Sequence, residues 1–154
     1  METADETEQR LRMAADAGGV DAMWELAVLL NQSDRYREAL PYLLRASAAE
    51  HPMAMNAVAW EFLSQKRYDE AEPLLRKAVA AGEIRARRNL GRLLWETGRA
   101  AEAEPWLRSA AEKADIDAIM VLMRLPAGTG RQDEATRWGE WLVRNGYARP
   151  AGEG

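Results

Sequence analysis

Few residues of this 154-residue chain are of the types that perform catalysis. It has no cysteine and a single histidine, His51, so thiol chemistry and thiolate-bound metals are excluded and other nucleophile and base pairings have little material. His51 precedes Pro52 in a predicted turn, where we expect it to be exposed to solvent. The glycines of AGTGRQ (127–132) do not predict a phosphate loop, because no Lys-Ser or Lys-Thr follows them. Asp115 and Asp117 are explained as residues at a helix N-terminus and do not require a metal. We therefore predict no catalytic residue, no metal site, no cofactor and no enzymatic activity.

Charge and hydropathy restrict the classes of partner. The formal net charge is -4, whereas a nucleic-acid binder needs a clear excess or a strong cluster of positive charge. No apolar run approaches the roughly 20 residues of a membrane helix, and no signal peptide is recognisable. We expect a soluble, cytoplasmic protein that binds neither nucleic acid nor membrane. All but three of the 21 basic residues are arginine, which suits carboxylate recognition, although the codon usage of a GC-rich genome is the better explanation for most of them.

A 32-residue repeat organises the sequence. The phrase RYDEAEPLL (67–75) returns in altered form as RYREALPYL, GRAAEAEPWL and GRQDEATRW. A period of 20 to 50 residues is typical of stacked repeats. The phrase predicts a helix start, because its glutamate meets the positive end of the helix dipole and its alanine lets two helices approach closely. The columns in register are Arg35, Arg67, Arg99 and Arg131, then Glu38, Glu70, Glu102 and Glu134, then Ala39, Ala71, Ala103 and Ala135.

Each repeat is predicted to form two helices. In DAMWELAVLLNQ (21–32) the apolar residues Met23, Leu26 and Leu30 fall on one face at the spacing of an α-helix. A leading helix is predicted near residues 3–17, followed by four helix pairs, which makes nine helices. The predicted helix starts within the pairs are Asp21, Tyr36, Pro52, Tyr68, Ile84, Ala100, Asp117 and Gln132. The segment LPAGTG (125–130) is expected to end the first helix of the last pair early.

The third repeat, NLGRLLWETGRAAEAEPWLRSAAEKAD (89–115), resembles a tetratricopeptide repeat. The matching positions are Leu90, Gly91, Gly98, Ala103, Leu107 and Ala110. AADAGGVDAM and AAEKADIDAI resemble the junctions of Sel1-like repeats, although the period is 32 rather than 34 and the family's tryptophan position holds other residues. We predict an all-α, right-handed α-solenoid of about four helix-turn-helix repeats with an extra N-terminal helix. We expect one domain over residues 1–148 and a disordered tail over residues 149–154.

The resemblance implies that the first helix of each pair lines a concave groove that holds a partner. The groove positions form a stripe about 130° from the core-facing stripe, and it also includes Met53 and Leu63. Tryptophans beside arginines are typical of binding hot spots, while the alternative is that the tryptophans pack between helices and the arginines are merely solvated. The candidate partner-binding residues are Trp24, Asn56, Trp60, Arg85, Arg88, Arg92, Trp95 and Arg124.

The arginines suggest the chemistry of the partner. Arg88 and Arg92, one helical turn apart, resemble the basic half of the clamp by which some tetratricopeptide domains hold a peptide carboxylate. Other clamp positions hold Trp24, Val28 and Trp60, so the match is incomplete. We therefore predict a non-enzymatic scaffold that binds a protein or peptide segment, acidic or aromatic in character.

A second hypothesis is a structural subunit that self-associates through its terminal helices. The last helix of a solenoid has no following repeat to cover it. If Trp141 and Tyr147 remain exposed there, they provide a surface for a homo-oligomer.

Overall fold

The computed structural model describes residues 3–124 and 131–147. Within these residues every regular element is an α-helix, which confirms the predicted all-α class. The nine described helices are α1 (Ala4–Asp16), α2 (Val20–Gln32), α3 (Tyr36–Ala48), α4 (Pro52–Ser64), α5 (Tyr68–Ala80), α6 (Ile84–Glu96), α7 (Ala100–Ala111), α8 (Ile116–Arg124) and α9 (Arg131–Arg144).

The helices recur at the period of the sequence repeat. The first helices of the four pairs, α2, α4, α6 and α8, begin at residues 20, 52, 84 and 116, which are 32 apart. Every predicted helix is found, and each begins within one residue of its predicted start. The predicted helix end in LPAGTG (125–130) and the predicted disordered tail (149–154) lie outside the described residues.

Helices α1 to α7 and α9 all end in the same kind of turn. A residue with left-handed backbone follows each helix, and the next amide bonds to the carbonyl five residues earlier, as from Arg35 to Leu30 at 2.9 Å. This is the Schellman closure, which satisfies carbonyl groups that the helix end leaves without partners. The left-handed residues are Gly18, Asp34, Glu50, Lys66, Gly82, Gly98, Ala114 and Gly146. From residue 18 to residue 114 these turns recur every 16 residues, so helices α1 to α7 all end in the same way.

Small side chains at the repeat columns allow close helix packing. The alanines predicted as packing positions, Ala39, Ala71 and Ala103, are at most 2% exposed. At Gly91 on α6, an added β-carbon would lie 2.7 Å from Cγ of Leu107 on α7. The Leu-Gly pair of the third repeat is therefore a packing requirement, since only glycine permits this approach.

The repeated arginine and glutamate bind each other at the start of α3, α5 and α7. In α5 the N-cap residue is Arg67, whose Nε and Nη2 each lie 2.6 Å from a carboxylate oxygen of Glu70. In α1 the same two columns hold Thr3 and Glu6, which form a capping box with bonds of 3.2 and 2.8 Å. The repeated phrase is thus a helix start, as predicted.

A closed ring of alternating charge joins α1 to α3. Arg12 and Arg35 each contact both Glu8 and Glu38, at nitrogen to oxygen distances of 2.7 to 3.1 Å. Hydrogen bonds, above all those from Arg35, lower the pKa of Glu38 to about 2 and also lower the pKa of Glu8. The ring fixes the leading helix against the first repeat.

The chain divides into two compact units, residues 1–86 and 87–154. In the first unit α1 to α5 pack in chain order, each helix against the next. In the second unit α7 packs on α8 and α8 on α9. The single domain over residues 1–148 remains a prediction.

Candidate partner-binding face

In the first unit, α4 exposes large apolar side chains on the predicted stripe. Met53 and Trp60 lie two turns apart, with 42% and 45% of their surfaces exposed, and Asn56 between them is half-buried. Leu63, also predicted on this stripe, is buried, so that assignment is wrong. It lies four residues after the buried Ala59 and therefore belongs to the edge of the core-facing side.

On α2 the stripe residue Trp24 contacts the cap of the next first helix. Trp24 is half-buried, and its ring stacks on the imidazole of His51 at 5.4 Å between centroids. Nδ1 of His51 accepts a hydrogen bond of 3.3 Å from the Ala54 amide, and Nε2 lies 3.6 Å from Oδ1 of Asp21. His51 is only 8% exposed, so the prediction that it is exposed to solvent is wrong. The stacked ring of Trp24 covers it.

Arg88 makes the corresponding contact in the second unit. Its Nη1 lies 3.2 Å from Oδ2 of Asp115 and 3.1 Å from Oδ2 of Asp117. Asp115 also accepts a bond of 3.0 Å from the Ala118 amide, which confirms the interpretation of Asp115 as a helix N-terminal residue. Trp24 and Arg88 therefore both join one first helix to the start of the next.

The remaining candidate residues of the predicted stripe differ in exposure. Arg92 is half-buried, with Nε 3.5 Å from Oε1 of Glu96 in the next turn, and Trp95 is half-buried as well. Arg85, in the first unit, and Arg124, in the second, are exposed, and neither forms an ion pair with any residue the structure describes. A carboxylate binding to Arg88 would have to compete with Asp115, whereas Arg85 and Arg124 have no such competitor among those residues.

Two tryptophans near the C-terminal end of α9 and a tyrosine just after the helix form a group of contacting rings. Trp138 meets Trp141 edge-on at 6.3 Å, and the ring of Tyr147 stacks on Trp141 at 5.9 Å with an interplanar angle of 11°. Tyr147 is 61% exposed and Trp141 is half-buried, while Leu142 packs into the core. The exposure that the self-association hypothesis requires is therefore present at Tyr147 and partial at Trp141.

A shallow cleft beside α1 also contains titratable groups. It encloses about 300 Å³ and is lined by Asp5, Glu8, Gln9, Arg12 and Arg35, which include members of the charged ring. No three potential metal ligands come together in residues 3–124 and 131–147. Of the groups that line the cleft, Arg12 and Arg35 already pair with Glu8.

Over residues 3–124 and 131–147, each helix is too short or too polar to cross a bilayer.

The sequence analysis recognised Asp115 as a helix N-terminal residue but not that its position recurs before each first helix. This position holds Gly19, His51, Glu83 and Asp115, which are 32 residues apart. The last three accept hydrogen bonds from backbone amides in the first turn of the following helix. The signal was available, because side chains that accept hydrogen bonds are preferred just before a helix.

Comparison with known proteins agrees with this architecture. Residues 25–83 and 56–118 each match the tetratricopeptide repeat family, and together they span more than half of the chain. A Klebsiella pneumoniae subsp. pneumoniae structure described as a Sel1 repeat protein is 24% identical, with a TM-score of 0.64 over 92% of this chain and 74% of its own. TPR-like repeats of a protein described as a Podospora anserina kinesin light chain are 19% identical, with a TM-score of 0.56 over 96% and 88%. No curated protein sequence matches significantly.

These likenesses confirm the predicted all-α repeat solenoid as the fold class. Proteins built from such repeats are generally non-enzymatic scaffolds for protein interactions. The helix pairs, their identical turns and the matches over residues 25–83 and 56–118 establish that the chain belongs to the tetratricopeptide repeat family.

Proposed function

We propose that this chain is a non-enzymatic scaffold that binds a segment of a partner protein on its first helices. The observation that carries this proposal is the exposure of Met53 and Trp60 on α4, opposite a side that is fully buried. Exposed tryptophan on a rigid helix is typical of binding hot spots, since it adds apolar area while losing little side-chain entropy. The general role of the family supports the same function.

The exposed residues also suggest the chemistry of the partner segment. Met53 and Trp60 favour an apolar or aromatic residue, and Arg85 favours a carboxylate. Because Arg88 is paired with Asp115 and Arg92 with Glu96, we assign these two arginines to contacts within the chain rather than to the partner. We place this function in the cytoplasm, since a chain without cysteine gains no disulfide from an oxidising compartment.

Selection from a random peptide library displayed on phage tests the proposal. The wild-type protein is expected to enrich a common motif with an aromatic or apolar residue near an acidic one. Enrichment should be lost with Met53→Ala/Trp60→Ala and kept with Met13→Ala, because Met13 is 63% exposed on α1 outside the stripe. Failure to enrich any motif, or enrichment that survives the double substitution, would refute binding on this face.

A further inference from the structure

Helix α9 carries four charges of alternating sign along one exposed line. Asp133, Arg137, Glu140 and Arg144 are spaced by four, three and four residues, a spacing that keeps them on one side of a helix. Within residues 3–124 and 131–147 none of the four forms an ion pair, and Arg137 donates only to the backbone carbonyl of Asp133, at 3.4 Å. We call these four residues the α9 stripe.

The order of charges along the α9 stripe is self-complementary when the helix is reversed. A second, antiparallel copy centred between residues 138 and 139 places Asp133 opposite Arg144 and Arg137 opposite Glu140, each pair occurring twice. A parallel copy in register would place each charge opposite its own kind, which is unfavourable. We propose that two copies of this chain associate through α9 in antiparallel orientation.

Comparison with the preceding repeats supports this assignment. Glu140 occupies the column of Arg12 and Arg108, which bind Glu38 and Glu134, respectively, in the following second helix. At this position α9 therefore carries the opposite charge from α1 and α7, each of which binds a later second helix of this chain. The α9 stripe is complementary to itself instead.

The stacked rings of Trp141 and Tyr147 add apolar surface beside the α9 stripe. In the antiparallel pair Trp141 of both copies lies on the same side of the interface, about 7.5 Å apart along the helix axis at a rise of about 1.5 Å per residue. This contribution is needed, because exposed ion pairs alone are weak. An interface built on one 14-residue helix is smaller than a standard protein interface, so a weak, salt-sensitive dimer is expected.

Charge reversal with complementation tests the pairing. Sedimentation equilibrium at low salt should show the wild-type mass rising with concentration from 17.3 kDa towards twice that value. Arg137→Glu/Arg144→Glu and Asp133→Arg/Glu140→Arg should each be monomeric alone, and a one-to-one mixture of the two should associate. Arg37→Glu/Lys113→Glu makes the same change in net charge as Arg137→Glu/Arg144→Glu, but at exposed sites outside α9, and should behave as wild type. A monomeric wild type at about 0.5 mM, no association of the mixture, or loss of association in the control would overturn the proposal.

Orientation is tested separately by cross-linking, because the chain contains no cysteine. In the antiparallel pair the two copies of residue 136 are about 7.5 Å apart along the axis and those of residue 132 about 20 Å. Since packed helix axes are also about 8–10 Å apart, a bis-maleimide of about 13 Å reach should join Thr136→Cys dimers but not Gln132→Cys dimers. Equal cross-linking at both positions would indicate a parallel pair and contradict the proposal.

Discussion

Replacing Trp60 by alanine examines the proposed partner-binding face at its most exposed aromatic residue. Trp60 has 45% of its surface exposed on α4. Of the roughly 250 Å² that a tryptophan can bury, about 110 Å² is thus accessible to a partner. At about 25 cal/mol per Å² of apolar surface, complete burial of this area contributes about 3 kcal/mol. Trp60→Ala should therefore weaken the binding of a selected peptide by up to about 100-fold.

Isothermal titration calorimetry with one selected peptide measures this effect. Tyr147→Ala is the matched control, because Tyr147 is an aromatic residue with 61% exposure at the end of the second unit and should leave peptide affinity unchanged. Circular dichroism of both variants should show wild-type helix content, since neither position lies in the core. A change in Kd of less than about threefold on Trp60→Ala would refute the reasoning, as would an equal loss with the control.

Three further predictions concern the fold. Gly91→Ala should lower the free energy of unfolding in urea by about 1–3 kcal/mol, although alanine favours helix more than glycine does, because the new β-carbon meets Leu107. The loss should be smaller when Leu107 is also replaced by alanine, and purely additive effects of the two substitutions would contradict the contact. Ala114→Gly should raise the free energy of unfolding by about 0.5–1 kcal/mol, because residue 114 has a φ of 59°, a left-handed backbone that glycine adopts more readily than alanine. A lower melting temperature of this variant would disprove strain at residue 114. Glu38, whose pKa falls from 4.5 to about 2 in the folded state, stabilises the fold fully above pH 4.5, and this contribution disappears as the pH falls towards 2. Glu38→Gln should therefore lose less stability than wild type between pH 5 and pH 2.5, and identical pH profiles would show that the bonds from Arg35 contribute nothing.

The helices and their order could be predicted because their causes are local. The repeated arginine and glutamate, three residues apart, belong to the same helix start, and Arg67 binds Glu70 there. The turns are local as well, since a left-handed residue such as Gly98 ends one helix and the next begins two residues later. A period of 32 residues then repeats these local features along the chain. The exposed positions Met53 and Trp60 also followed from helical spacing, because it determines on which side of a helix a residue lies.

Only the tertiary structure decided which stripe residues are available to a partner. Trp24 stacks on His51 and Arg88 binds Asp115, and in both pairs the second residue is 27 positions further along, in the next repeat. Helical spacing shows the direction in which a side chain leaves its own helix, but not which group of a neighbouring helix it meets. Leu63 illustrates the same limit, since its place on the wheel lay between two sides and packing assigned it to the core. Which residues become buried and which stay exposed therefore depends on contacts between repeats, and those form only when the helices are packed together.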